Sequence, residues 1–278
     1  MKRIERITSS ENQQLKQWKK LKTRKGRKNQ EALLIEGEHL FEEGIRAKLS
    51  FQAVIFSEIA KEKSKDWLKR IPEKVPVYEL PSSLFNQLVE TTTPQGIAAV
   101  VKWPYWSLDE VWKQETDKKT FLLIDSIQDP GNLGTLIRTA KATGMDGIFL
   151  GKGTVDPYNG KVVRASMGAI FRLPLWQEDL ETIFPVLKEK NVTVVNTSPR
   201  ATQSYFHYSF PSRVGILLGN EGRGVDRNFE KYVDDHVTIP MPGGTESLNV
   251  SITGALLMYE RIRQGSLRGN GEFDYNIK

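Results

Sequence analysis

Apolar residues along this chain fall into two rhythms. Short unbroken runs closed by Gly or Pro read as buried strands, and apolar positions every third or fourth residue read as helices. The last third shows both. Gly215–Leu218 is a run that stops at Gly219, and His236–Ile239 is a run closed by Pro240. Ser247 is the predicted N-cap of a helix in which Leu248, Ile252, Ala255, Leu256, Tyr259 and Ile262 recur at helical spacing. Val250 and Leu257 lie off that stripe, which predicts a helix buried on more than one face.

The same reading predicts an alternation of strands and helices from the start of the chain. Ser9 or Ser10 caps a helix beginning near Glu11, with Leu15, Trp18 and Leu21 along its inner edge. Strands are expected at Ala32–Ile35, Ala53–Phe56, Val75–Leu80 and Ile97–Val101, with helices between them. Glu36, at a strand end, is expected to cap the next helix. Residues 103–118, with Pro104 and three tryptophans, read as a linker with a short helix, the tryptophans packing rather than stacking on bases. A second series follows: strand Phe121–Ile124, helix Leu133–Thr143 capped by Asn132, strand Gly147–Leu150 and helix Lys161–Ile170. An extended piece at Leu173–Leu175, helix Leu180–Lys190 and strand Val192–Val195 complete it. The fold class is therefore α/β in two domains, 1–102 and 119–264, with a loose tail over 265–278.

Composition narrows the chemistry. With no cysteine, a disulfide, a Cys-ligated metal and a thiolate nucleophile are excluded, and three scattered histidines make no metal site. No stretch approaches the length of a membrane span and the N-terminus has no apolar secretory segment, so a cytoplasmic location is expected. The net charge of +6 is uneven. Residues 1–102 hold 20 Lys and Arg against 13 Asp and Glu, whereas the rest of the chain holds 20 against 21. Eight of the thirteen residues from Lys16 to Lys28 are basic. Such single-signed density repels itself unless phosphates neutralise it, so Lys16, Lys19, Lys20, Arg24, Lys25, Arg27 and Lys28 are candidate RNA contacts, with a flexible turn at Gly26 as the bland alternative.

Two Gly-rich loops leave predicted strand ends, where open α/β sheets bind ligands. Gly219, Gly222 and Gly224 surround Asn220, Glu221 and Arg223; Gly243 and Gly244 precede Thr245, Glu246, Ser247 and Asn249. Neither matches a dinucleotide or P-loop phosphate fingerprint, which argues against a Rossmann dinucleotide enzyme. With DPGNLGTLIRTA earlier in the chain, GNEGRGV and IPMPGGTESLNVS resemble, in order, the three motifs of the SpoU/TrmH family of RNA ribose 2′-O-methyltransferases in the SPOUT superfamily. LLIEGEHLFEEGI and TTTPQGIAAV resemble the family's substrate-binding extension, which is built like certain ribosomal proteins.

The resemblance implies a small α/β/α N-terminal RNA-binding domain and a Rossmann-like parallel sheet tied in a deep trefoil knot. It also implies a homodimer and S-adenosylmethionine as methyl donor, with no metal. The implied cofactor contacts are backbone near Leu218, Gly219, Ile239 and Met241, the Leu248 side chain, and Thr197. Glu221, Ser247 and Asn249 are the polar groups of the second and third motifs, and Asn132 and Arg138 those of the first. Arg138 lies off the apolar stripe of its helix. Guanidinium stays protonated at neutral pH, so its expected role is to stabilise developing alkoxide charge while a phosphate takes the proton or fixes the geometry. Ribosomal RNA is the expected substrate, with transfer RNA, or a non-catalytic RNA-binding protein of the same fold, as alternatives.

Overall fold

In the computed structural model, which describes residues 3–113 and 116–268, the apolar runs of the first third become strands of one mixed sheet. Its elements are β1 (Ile4–Arg6), α1 (Gln13–Lys20), α2 (Arg24–Gln30), β2 (Ala32–Glu36), α3 (Glu38–Arg46), β3 (Phe51–Ser57), α4 (Lys61–Arg70), β4 (Val77–Leu80), α5 (Ser82–Leu88) and β5 (Ile97–Lys102). The strand order is β1-β4-β3-β5-β2, parallel from β1 to β3 and antiparallel around β5. Leu15, Trp18 and Leu21 of the N-terminal helix pack with Ile55, Leu80, Phe85 and Val100 in its core. The edge strand β1 escaped the sequence reading because three exposed residues carry no apolar run.

The basic stretch is two helices rather than one helix and a turn. Asn12, not Ser9 or Ser10, caps α1 by accepting from the Leu15 amide, and Thr23 caps α2 by accepting from Gly26. Gly26 is no flexible turn. It lies inside α2, where a Cβ would sit 1.9 Å from the Lys20 carbonyl oxygen, so only glycine lets the helices approach this closely. Glu36 does not cap the helix after it. Its carboxylate accepts from the Glu90 and Thr91 amides and the Thr91 hydroxyl, and Gly37, at φ 94°, precedes α3.

The second series continues with α6 (Leu108–Lys113), β6 (Lys119–Ile124), α7 (Pro130–Ala142) and β7 (Gly147–Leu150). The chain then clusters into two units, and Asp156–Arg172, placed by the sequence reading inside the second domain, groups with the residues up to Tyr105. This segment carries α8 (Gly160–Ala165), capped by Asn159; the expected helix to Ile170 is interrupted by Met167 and Gly168, both at positive φ. Back in the second unit come β8 (Leu175–Gln177), α9 (Leu180–Glu189), β9 (Thr193–Thr197), β10 (Arg213–Leu218), β11 (Asp235–Val237) and α10 (Val250–Arg268). The helix reaches Arg268, so residues 265–268 are not loose tail; residues 269–278 lie outside the described residues.

The second sheet is wholly parallel, in the order β11-β9-β10-β6-β7-β8. Both faces of its central strands are covered, which is why β6, β7 and β10 read as unbroken apolar runs. Trp112 packs on Phe121 and the Trp176 indole donates to the Trp106 carbonyl, so these aromatics serve packing. The final helix corrects the sequence reading. Its inward face is Ser251, Gly254, Leu257 and Met258, while the expected stripe is turned outward, with Ile252 50% and Tyr259 55% exposed. Gly254 decides the orientation: a Cβ there would lie 2.5 Å from Leu136 Cδ2 and 2.8 Å from Leu218 Cδ1.

Candidate functional site

Parallel strands deliver their carboxyl ends to one edge of the sheet. The loops after β9, β10 and β11 together with the start of α10 enclose an open cleft of about 440 Å³. All six expected cofactor residues, Thr197, Leu218, Gly219, Ile239, Met241 and Leu248, line it, as do Glu221, Ser247 and Asn249. Gly219 is required by the turn it opens, since a Cβ would fall 2.1 Å from the Gly224 carbonyl carbon. Asn220 then closes the turn. It exchanges backbone hydrogen bonds with Gly224 at 2.9 Å in each direction, and its side-chain oxygen accepts from the Gly222 and Arg223 amides. Its amide group also donates to the Ser126 carbonyl at 2.8 Å. Asn220 carries the loop's shape and was missed as a site residue; a polar side chain between two glycines was the available signal.

One polar residue from each of the three motifs joins a single chain of hydrogen bonds. The Asn249 amide group donates to the Asn132 side-chain oxygen at 2.9 Å, and the Asn132 amide group donates to Glu221 at 3.1 Å. Glu221 also accepts from the Asp129 and Gln128 backbone amides, at 3.1 and 3.3 Å. Partial burial pushes the Glu221 carboxyl upward, but its own amide, Asn132, Asp129 and Gln128 outweigh that and hold it below the usual carboxylate range. A carboxylate so supplied with donors is a strut rather than a proton acceptor.

Two capping expectations change. Asp129, with Pro130 after it, caps α7, so Asn132 sits inside the first turn with its side chain available to the network. Asn249 rather than Ser247 caps α10, accepting from the Ser251 amide at 2.9 Å. Ser247 stays exposed on the cleft wall.

Arg138 is not among the residues lining the cleft. It is exposed on α7, six residues beyond Asn132 and so about 9 Å further along the axis. No hydrogen bond or ion pair is formed by its side chain among the described residues. In the first unit, Lys16, Lys20, Arg24, Lys25 and Lys28 are exposed, and Lys19 donates to the Gln87 side chain. Arg27 departs from the expectation of an RNA contact: 4% exposed, it donates to the Leu21 and Lys22 carbonyls and pairs with Asp156. Spacing alone could not separate this structural arginine from its solvated neighbours.

The SpoU rRNA Methylase family matches residues 119–259, half of the chain and all of the cleft-forming loops. The chain belongs to the SpoU rRNA methylase family. An MRM3-like substrate binding domain matches residues 12–99. Among relatives of this SpoU protein, the 23S rRNA (guanosine(2553)-2′-O)-methyltransferase RlmP of Bacillus subtilis is 38% identical over 260 residues, covering 92% of this chain and 98% of the relative. A crystal structure of an RNA 2′-O ribose methyltransferase superposes with a TM-score of 0.79 at 29% identity, covering 94% of this chain and 99% of that one. An AdoMet-bound rRNA methyltransferase from Sinorhizobium meliloti superposes with a TM-score of 0.82 at 25% identity, covering 94% and 98%.

S-adenosylmethionine is the cofactor of this SpoU enzyme, and the cleft fits it. Its volume lies in the range that takes up small ligands, roughly 300–1,000 Å³. Ile239, Met241 and Leu248 offer an apolar wall for an adenosine, and the glycines allow close backbone approach.

Proposed function

We propose that this protein methylates a ribose 2′-hydroxyl in large-subunit ribosomal RNA, with the cleft beyond β9, β10 and β11 as its cofactor site. The activity itself, S-adenosylmethionine-dependent methyl transfer to RNA ribose, follows from family membership and from the identity with the Bacillus subtilis enzyme. The large-subunit substrate is supported by that relative's name, and its bacterial source supports a cytoplasmic location. The observation that carries the site assignment is the Asn249–Asn132–Glu221 chain, which joins all three motifs at the mouth of one cleft.

When bound, the cofactor supplies an electrophilic methyl group on a sulfonium. The protein must hold that group in line with the 2′-hydroxyl and provide for its proton. Glu221 and Asn132 fix the start of α7 against the β10 loop, and Asn249 fixes the third loop to both. Such pre-orientation can contribute about 7–11 kcal/mol of the barrier. Arg138, exposed on the same helix, stabilises the developing alkoxide and holds with its planar fork an RNA phosphate, which takes the hydroxyl proton.

The first unit grips RNA through Lys16, Lys20, Arg24, Lys25 and Lys28, with Lys19 nearby and Arg27 as their structural support; the match to a substrate binding domain over residues 12–99 supports this. The second unit carries the family's deep trefoil knot, and the outward apolar face of α10 is the seam of a homodimer. Family membership supports the first, and exposed Ile252 and Tyr259 support the second.

Ribose-methylation mapping of total RNA from cells with and without the gene tests the function. One large-subunit position should lose its methyl group. Loss confined to transfer RNA, or no loss at all, would overturn the substrate assignment.

A further inference from the structure

Among the described residues, three charged side chains line the cleft: Glu221, Arg223 and Glu246. Glu221 is committed, its oxygens accepting from the Gln128 and Asp129 amides and from the Asn132 side chain. Arg223 and Glu246 are different. Both are exposed, and among the described residues neither side chain makes a hydrogen bond or an ion pair. Resting on the assignment of this cleft to the cofactor, we infer that Arg223 and Glu246 recognise the amino-acid end of S-adenosylmethionine, Arg223 taking its carboxylate and Glu246 its ammonium group.

Charge matching supports this. At neutral pH the three side chains sum to one negative charge. S-adenosylmethionine carries one carboxylate, one ammonium and one sulfonium, hence one positive charge. Its adenosine is neutral and suits the apolar wall of Ile239, Met241 and Leu248, which leaves the amino-acid end for the polar part of the lining. An RNA phosphate is a poorer partner for Arg223, because Glu246 and Glu221 share the cleft with it and repel a polyanion.

The backbone beneath Arg223 is prepared for the task. The Arg223 amide donates to the Asn220 side-chain oxygen at 3.2 Å, inside the turn closed by the two Asn220–Gly224 bonds. A fixed Cα lowers the entropy lost when the side chain is ordered on a ligand. The guanidinium fork can hold a carboxylate through two hydrogen bonds, which a lysine in its place cannot reproduce. On the other loop, the Gly244 amide donates to the Met241 carbonyl at 3.0 Å, so Glu246 stands two residues beyond a closed turn.

The test is calorimetric titration of the 278-residue chain with S-adenosylmethionine, S-adenosylhomocysteine and 5′-methylthioadenosine, which lacks the amino-acid end. Arg223→Gln and Glu246→Gln should each weaken the first two by about five- to tenfold, the range for charge-assisted hydrogen bonds at an exposed site. Affinity for 5′-methylthioadenosine should stay within about twofold of wild type, and unchanged affinity for this ligand also shows that the loop still folds. Arg223→Lys should recover only part of the loss. Equal losses for all three ligands, or no loss for any, would overturn the inference, as would an Arg223→Gln chain weakened only toward RNA. Gly219→Ala separates this from the underlying site assignment. It blocks the turn and should abolish binding of all three ligands; retention of all three would remove the cleft itself as the cofactor site.

Discussion

The Asn249 side chain does two things at once. Its oxygen accepts from the Ser251 amide and caps α10, while its amide group donates to the Asn132 side-chain oxygen at 2.9 Å and ties the third loop to α7. Aspartate caps a helix as well as asparagine does but has no amide to donate. Asn249→Asp should therefore leave thermal stability within about 0.5 kcal/mol, as for exposed substitutions that keep a cap. Turnover should fall by about tenfold, because the Asn132–Glu221 chain loses its donor and gains a like charge. Thermal unfolding with single-turnover methylation checks both halves; a full rate in Asn249→Asp would show that the link is dispensable.

Glu221 predicts a pH dependence. Its folded-state carboxyl is held below the ordinary range by donated hydrogen bonds that outweigh its burial. A group with a lowered folded pKa contributes stability above its unfolded value and loses it as pH falls through the folded one. Folding stability should thus be flat from neutral pH down to the ordinary carboxylate range and decline as pH falls below it. Glu221→Gln should lower stability at neutral pH and flatten the acid decline, measured by denaturant unfolding across pH.

Arg138 is exposed and placed away from the cleft lining, so alanine there removes a charge without opening the core. Arg138→Ala should lower the methylation rate by about 10²–10³-fold, the usual effect of removing one charge-stabilising donor. Cofactor affinity should be unchanged. Arg138→Lys separates charge from geometry: recovery means charge suffices, and behaviour like alanine means the planar fork orients RNA. A near wild-type rate in Arg138→Ala would end the assignment.

Arg27 and Asp156 form a buried ion pair within the first unit. Asp156→Ala should destabilise that unit by about 3–5 kcal/mol, since it strands a buried guanidinium. The double replacement Arg27→Met with Asp156→Leu should recover most of the loss. Denaturant unfolding of the four proteins supplies the cycle. RNA affinity of the folded double variant should match wild type, which separates the structural arginine from the exposed lysines.

The outward face of α10 predicts the oligomeric state. Ile252→Asp places a charge on an exposed apolar face and should convert a dimer to a monomer in sedimentation at micromolar concentration, with the fold retained by circular dichroism. A wild-type monomer at that concentration would remove the seam from the proposal.

The sequence alone determined most of the strand–helix alternation from local rules: unbroken apolar runs bounded by Gly and Pro mark strands covered on both faces. The parallel character of the second sheet entered with the resemblance to the SpoU/TrmH family. The six residues that the resemblance to the SpoU/TrmH motifs implied line one cleft, where the strand-end loops of a parallel sheet converge. Tertiary structure decided what local pattern leaves degenerate. A helix apolar on two sides does not say which faces inward, and Gly254 against Leu136 and Leu218 settled that for α10. A run of basic residues does not say which one is buried, and Asp156, 129 residues further along the chain, settled it for Arg27. Nor does the pattern show that Asp156–Arg172, lying between two strands of the second sheet, clusters with the first unit. Each outcome depends on a partner remote in sequence, and periodicity carries no information about such partners.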